Sequence, residues 1–240
     1  MTGNMLFVIV PVYNEAKNIG RVVRDLFQLQ DGFRQIVKVN SDRLRNDFKV
    51  IVVDDGSVDD TAKVAREAGA TVLRHAINRG QGAALQTGNE YARRHGAEYV
   101  IHFDGDGQFD VADIAPALEK LNKDNLDVVL GSRFLDNRSK LPWTKRYIVL
   151  PLARWIQNVL TGVTLTDVHN GFRVLNKRAL EKIEITQDGM AHNTEMVSQI
   201  KQHNLRFAES PVVVRYAEYG QGLSGGVKIM FDVLFSHLVK

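Results

Sequence analysis

The chain has 240 residues, 44% of them hydrophobic and 25% charged, with a net charge of +3 and no cysteine. That is the composition of a globular protein, and the length is enough for one well-buried domain. The missing cysteines exclude disulfides and thiolate metal sites and fit a reducing, cytosolic compartment, while the mild basic excess suits phosphate ligands or an anionic membrane surface.

In chain order, "MTGNMLFVIVPVYNEA" has neither a basic leader nor a small-residue cleavage site, so no secretory signal is expected. No apolar run is long enough to span a bilayer. Short apolar runs at Leu6–Val10, Val50–Val53, Thr71–Leu73, Tyr99–Phe103 and Asp127–Leu130 read as strands. Helical patterns lie between them at Ala16–Gln30, Asp59–Ala68, Gly82–His95 and Val111–Asn122. The alternation predicts an α/β fold of three layers around a mostly parallel central sheet. The stretch Phe33–Phe48 is longer than a connection needs and reads as a small extra element.

Beyond Gly131 the alternation loosens. Leu141–Val163 mixes Trp143, Trp155, Lys145, Arg146 and Arg154 into an apolar background, a pattern that suits a lipid–water interface or a buried helix pair. A polar loop, "TDVHNGFRV", precedes a helix near Met190–His203 and a strand at Arg206–Arg215. A glycine-rich loop, "YGQGLSGG", then leads to an amphipathic terminal helix, "VKIMFDVLFSHLVK". No linker-like composition divides the chain, and a single domain over 1–240 is expected.

Four polar motifs follow the first four strands: "PVYNEA", "DDGS", "NRGQGAA" and "DGDGQ". Each alone reads as a solvated turn; together they mark the carboxyl edge of an open sheet as a binding site. In "DGDGQ", a calcium loop starting at Asp104 would need glycine and glutamate where Phe109 and Ala115 stand. Two carboxylates with a carboxamide can instead hold Mg2+ or Mn2+ and leave room for phosphate oxygens. "NRGQGAA" has Leu85 where a dinucleotide fingerprint needs its third glycine, and it lacks the Lys-Ser/Thr of a P-loop.

The ordered set "PVYNEAKNI", "VVDDGSVDDT", "NRGQGAALQTG", "FDGDGQFD", "GSRF" and "NGFRVLNKRAL" resembles family 2 glycosyltransferases of GT-A fold. It looks most like their dolichol-phosphate mannose synthase and polyprenyl-phosphate branch. The resemblance implies a nucleotide-binding part at about 1–131 and an acceptor part at about 132–240. It implies that Pro11, Tyr13, Glu15, Asp54, Asp55, Ser57, Gly82 and Asp104 line the nucleotide-sugar pocket. Asp104, Asp106 and Gln108 match the metal set. Gly105 stands where alanine is common, a small-for-small change expected to be without consequence. Arg133 and Arg173 fit phosphate-holding roles and, with Asp106, the catalytic set; Arg133, His192 and Glu195 are candidates on the acceptor side, and His169 lies in a neighbouring loop.

The activity implied by the resemblance is inverting transfer from a nucleotide-diphosphate sugar, GDP-mannose or a UDP-hexose, to a polyprenyl phosphate, with Mg2+ or Mn2+ as cofactor. Many members that act on hydroxyls carry Glu-Asp where this chain has Glu195 and Met196, and a phosphate acceptor needs no base. "LARWI" lacks the glutamine of the Q-x-x-R-W motif of processive synthases. Expected partners are the donor, the lipid phosphate, the cytoplasmic membrane face as a peripheral site, and an integral-membrane protein; no nucleic acid is expected. The alternatives are the same fold acting on a saccharide hydroxyl, and a nucleotide-sugar binder without turnover.

Overall fold

The computed structural model describes residues 5–30, 48–136, 162–167 and 170–215. Seven strands form one sheet, in the order β3-β2-β1-β4-β6-β5-β7. They are β1 (Met5–Val12), β2 (Phe48–Asp54), β3 (Thr71–Arg74), β4 (Ala97–His102), β5 (Val128–Ser132), β6 (Arg173–Asn176) and β7 (Phe207–Pro211). All neighbours run parallel except β6, which lies antiparallel between β4 and β5. The expected three-layer, mostly parallel α/β architecture is therefore what the chain forms.

β1 shows why both faces are covered. Its even positions Leu6, Val8, Val10 and Val12 enter one core, with α1 (Ile19–Gln28), α2 (Thr61–Glu67) and α4 (Ile114–Lys123) on that side. Its odd positions Phe7 and Ile9 enter the other, beneath α3 (Gln81–Arg94), α5 (Lys177–Lys182) and α6 (His192–Gln202). A strand buried on both faces reads as an unbroken apolar run, as "LFVIV" does. α3 can lie close because Gly88 faces Ile9: a Cβ there would fall 2.3 Å from Ile9 Cγ2.

Two elements differ from the sequence expectation. "FRVLN" sits in a stretch expected to be loop, yet it carries β6, followed by the short helix α5. The strand expected over Arg206–Arg215 pairs with β5 only through Pro211, after which the chain turns to run beside the Asp106–Asp110 loop: Asp110 N donates to Val213 O at 3.3 Å and Arg215 N to Gln108 O at 2.8 Å. Most of Phe33–Phe48 and Leu141–Val163, together with His169, "YGQGLSGG" and the terminal helix, lies outside the described residues.

Asp127 knots the opposite end of β5. Its side chain, 1% exposed, accepts from Arg206 N at 2.8 Å, Asn176 Nδ2 at 3.0 Å and Arg178 Nη1 at 3.1 Å. Burial alone would raise this carboxyl, but the Arg206 and Asn176 donors outweigh it and hold it down at about 2. The knot ties β6 and β7 to β5, which fixes where Arg173 enters the sheet.

Candidate active site

The first four strands all deliver their carboxyl ends to one edge, where open α/β sheets bind ligands. The loops there hold one another. Asn14, at φ 56°, donates its N–H to Ser57 Oγ at 2.9 Å and accepts from Val58 N at 2.9 Å. Glu15 N reaches Thr61 Oγ1 at 2.8 Å. Asp54 is fully buried; it accepts from Ser57 N at 2.9 Å, and Arg74 Nε lies 3.0 Å from its other oxygen as an ion pair outside hydrogen-bonding geometry. Asp55 reaches the next loop, accepting from Gly80 N at 2.6 Å and Arg79 N at 3.0 Å and pairing with His75 Nδ1 at 2.7 Å.

The Asp104–Asp106 pair leaves the end of β4. Asp104 Oδ1 accepts from Gln81 Nε2 at 2.8 Å, and Asp106 Oδ1 accepts from Gln108 N at 2.9 Å. Among the described residues, the second oxygen of each carboxylate accepts no hydrogen bond. Burial, then the neighbouring Asp106, push Asp104 up to about 6 against the opposing pull of Arg173, Gln81 and Arg133. Burial also raises Asp106, countered by the Gln108 N–H.

The antiparallel strand β6 brings the counter-charge. Arg173 lies opposite His102 in the β4–β6 ladder, which sets its buried guanidinium beside Asp104. Desolvation lowers Arg173 to about 10, still cationic at neutral pH, and its Nη2 donates to Asn193 Oδ1 on α6. His102 is buried beneath this pair and bonded to Asn89 Oδ1 at 2.9 Å; burial, then Arg173 and His192, keep it neutral. Arg133, beyond β5, grips Asp167 with Nε at 2.6 Å and Nη2 at 2.7 Å.

These residues fit a divalent cation. Two crowded carboxylates, each with an oxygen to spare and with Asp104 raised by burial and its neighbour, are relieved by positive charge between them. Among the described residues no three Asp, Glu, His or Cys side chains converge as a complete cage. Mg2+ and Mn2+ suit such a partial set, since they use one or two carboxylates and complete their shells with water and substrate phosphate.

The sequence profile described as glycosyl transferase family 2 matches residues 7–184. The chain belongs to that family. It is a glycosyltransferase of GT-A fold. A UDP-N-acetylglucosamine–dolichyl-phosphate N-acetylglucosaminyltransferase of Methanococcus voltae is 28% identical, covering 100% of this chain and 97% of the relative. The polyprenol monophosphomannose synthase of Mycolicibacterium smegmatis is 25% identical over 94% of this chain and 84% of its own. In three dimensions, Mycobacterium tuberculosis glucosyl-3-phosphoglycerate synthase, solved with Mn2+ and UDP, shares the fold at a TM-score of 0.70. It is 18% identical, and the match covers 98% of this chain and 79% of that one.

The glycosyltransferase residues expected from sequence converge unevenly. Asp104, Asp106, Gln108 and Arg173 meet at the edge, and Tyr13, just past the end of β1, is 46% exposed. Pro11 is buried within β1 opposite Val53, and Glu15 Oε2 accepts from Asn18 Nδ2 at 2.7 Å at the start of α1. Asp54, Asp55 and Ser57 are buried; Asp54 holds its own loop through Ser57 N, while Asp55 and Ser57 bond to neighbouring loops. At Gly82 the backbone of 187–188 occupies the space, and a Cβ would lie 2.0 Å from Gln187 O. Glu195 accepts from Thr186 N at 3.0 Å and Gln187 N at 3.0 Å, so it braces that same segment. His192 is buried and bonded to Gly189 O at 2.7 Å.

One expectation changes. Gly105 is not interchangeable with alanine here, because a Cβ would sit 2.2 Å from Val12 Cγ1. Met196 is a core residue, 1% exposed. Gln81, Asn193 and Asp167 carry no sequence signal that assigns them to the site. Gln81 stands inside the "NRGQGAA" motif, but its partner lies 23 residues away.

Proposed function

We propose that the protein moves a single sugar, with inversion, from a nucleotide-diphosphate donor to a polyprenyl phosphate, in a reaction that depends on a divalent cation. The observation that carries this reading is the Asp104–Asp106 pair at the sheet edge, with the fields of Arg173 and Arg133 acting on Asp104. Asp104, Asp106 and Gln108 hold Mg2+ or Mn2+, which when bound supplies charge neutralisation on the departing nucleoside diphosphate. Arg173 and Arg133 hold phosphate oxygens as negative charge develops on the leaving group, where guanidinium can bond two oxygens at once. Asn193 and Asp167 aim these two guanidinium groups.

A lipid phosphate is already anionic and attacks the anomeric carbon without a base. The commitment of Glu195 to the backbone of 186–187 agrees with that. Further support comes from the lipid-phosphate activities for which the M. voltae and M. smegmatis relatives are named, since this chain matches both along most of its length. The donor is GDP-mannose or a UDP-hexose, bound by the part at about 1–131 with Pro11, Tyr13, Glu15, Asp54, Asp55, Ser57 and Gly82 building its pocket. The part at about 132–240 receives the acceptor, with Arg133, His192 and Glu195 on its side.

We place the protein at the cytoplasmic membrane face as a peripheral enzyme with an integral-membrane partner. Among the described residues no helix is long and apolar enough to cross a membrane. The aromatic and basic segment Leu141–Val163 is the sequence feature that supports surface contact. The test compares a polyprenyl phosphate with the same polyprenol lacking phosphate and with free saccharide acceptors. Transfer to the phosphate alone is expected; transfer to a hydroxyl at an equal rate would overturn the acceptor reading.

A further inference from the structure

We propose that Gln81 is a positioning residue that fixes the orientation of Asp104, and that the "NRGQG" loop is built to hold it there. The inference rests on the reading of Asp104 and Asp106 as cation ligands.

The loop is clamped from two sides. On one, the Asp55 carboxylate takes Gly80 N at 2.6 Å and Arg79 N at 3.0 Å. On the other, Asp188 O accepts from Gly82 N at 2.8 Å and Ala83 N at 3.3 Å. The second clamp could not close over a side chain at either glycine. A Cβ at Gly80, whose φ is 112°, would lie 2.3 Å from Asp188 O, and one at Gly82 2.0 Å from Gln187 O. Residue 81, between these glycines, is thereby fixed at the first turn of α3, and its amide reaches Asp104 Oδ1 at 2.8 Å.

Asp104 is confined on another side by Gly171, where a Cβ would fall 2.4 Å from Oδ2. With Oδ1 held by Gln81, the carboxylate cannot turn freely, and Oδ2 is left to meet a cation. The chemistry of the donor matters. A neutral amide orients the carboxylate without cancelling its charge, whereas a lysine or arginine would compete with the cation for it. Partners of this kind, one bond removed from the metal, commonly change metal affinity tenfold to hundredfold when removed.

The test uses Gln81→Met and Gln81→Leu, which keep length or bulk and helix propensity but donate no hydrogen bond. Free Mn2+ is followed by electron paramagnetic resonance during titration of the full chain, with UDP and with GDP in turn. Both variants are expected to bind Mn2+ at least tenfold more weakly than wild type, with unchanged circular dichroism. In transfer assays, the KM for Mn2+ rises more than kcat falls. Binding within twofold of wild type in a folded variant would overturn the inference while leaving the cation site intact. Loss of the fold in both variants would make Gln81 a fold residue and overturn it as well. A wild-type chain that binds no Mn2+ with either nucleotide would remove the cation reading, and this inference with it.

Discussion

Gly105→Ala tests how tightly the carboxylate pair is built into the sheet. The added methyl would lie 2.2 Å from Val12 Cγ1, 3.2 Å from Val10 Cγ1 and 3.4 Å from Pro11 O. Carbon atoms pack best at ~3.5–4.0 Å, so the first contact is about 1.5 Å too close. Val12 is 4% exposed and β-branched, so it has few rotamers through which to retreat. Overpacking of this kind costs about 1–3 kcal/mol. Relief by backbone movement would displace Asp104 and Asp106, and misplacement near 1 Å can reduce turnover roughly a hundredfold. Val12→Ala makes room while losing about 1.6 kcal/mol for its two methyl groups. In urea unfolding, the double variant should therefore be more stable than the sum of the single effects by about 1–3 kcal/mol. It should also recover most of the transfer rate lost in Gly105→Ala. Strict additivity in stability, or a fully active Gly105→Ala, would refute this account of the turn.

Asp104→Asn should stabilise the metal-free protein above pH 6 and abolish transfer. The folded carboxyl titrates at about 6 against an ordinary 3.8, so its contribution is fully present below 3.8 and is lost as pH rises through 6. That rise corresponds to a ceiling of about 3 kcal/mol, reduced because the side chain is partly exposed. Asp127 acts in the opposite sense. Held at about 2, it stabilises the fold above 3.8, and that contribution disappears as pH falls from 3.8 towards 2; Asp127→Asn should flatten this acid limb in pH-dependent urea unfolding. Glu195→Gln should lower stability by about 1–2 kcal/mol by weakening its hold on Thr186 and Gln187, with the pH profile of transfer unchanged. An acidic limb that vanishes from the profile would instead make Glu195 a base.

The sheet was legible where strands are buried on both faces. β1 is an unbroken apolar run and β2 and β4 carry apolar stretches at Val50–Val53 and Tyr99–Ile101, and the polar motifs after them fall at one edge because parallel strands share a direction. β6 was not legible. Its four residues are too few for a period, and it exists because β4 and β5 pair with it on either side. The site divided along the same line. Asp104 and Asp106 announce themselves as neighbours in sequence, whereas Gln81, Asn193 and Asp167 act through partners 23, 20 and 34 residues away. The steric demand on Gly105 was hidden for a similar reason, because Val12 meets it only across the sheet.

The most direct test of the central claim is transfer from a panel of radiolabelled nucleotide sugars to polyprenyl phosphate, with Mg2+ or Mn2+ and then with EDTA. Wild type is expected to give a chloroform-extractable product from one donor. EDTA should abolish it, and so should Asp106→Ala in a protein of unchanged fold. A lipid product that persists in EDTA, or a fully active Asp106→Ala, would contradict the assignment of the carboxylate pair.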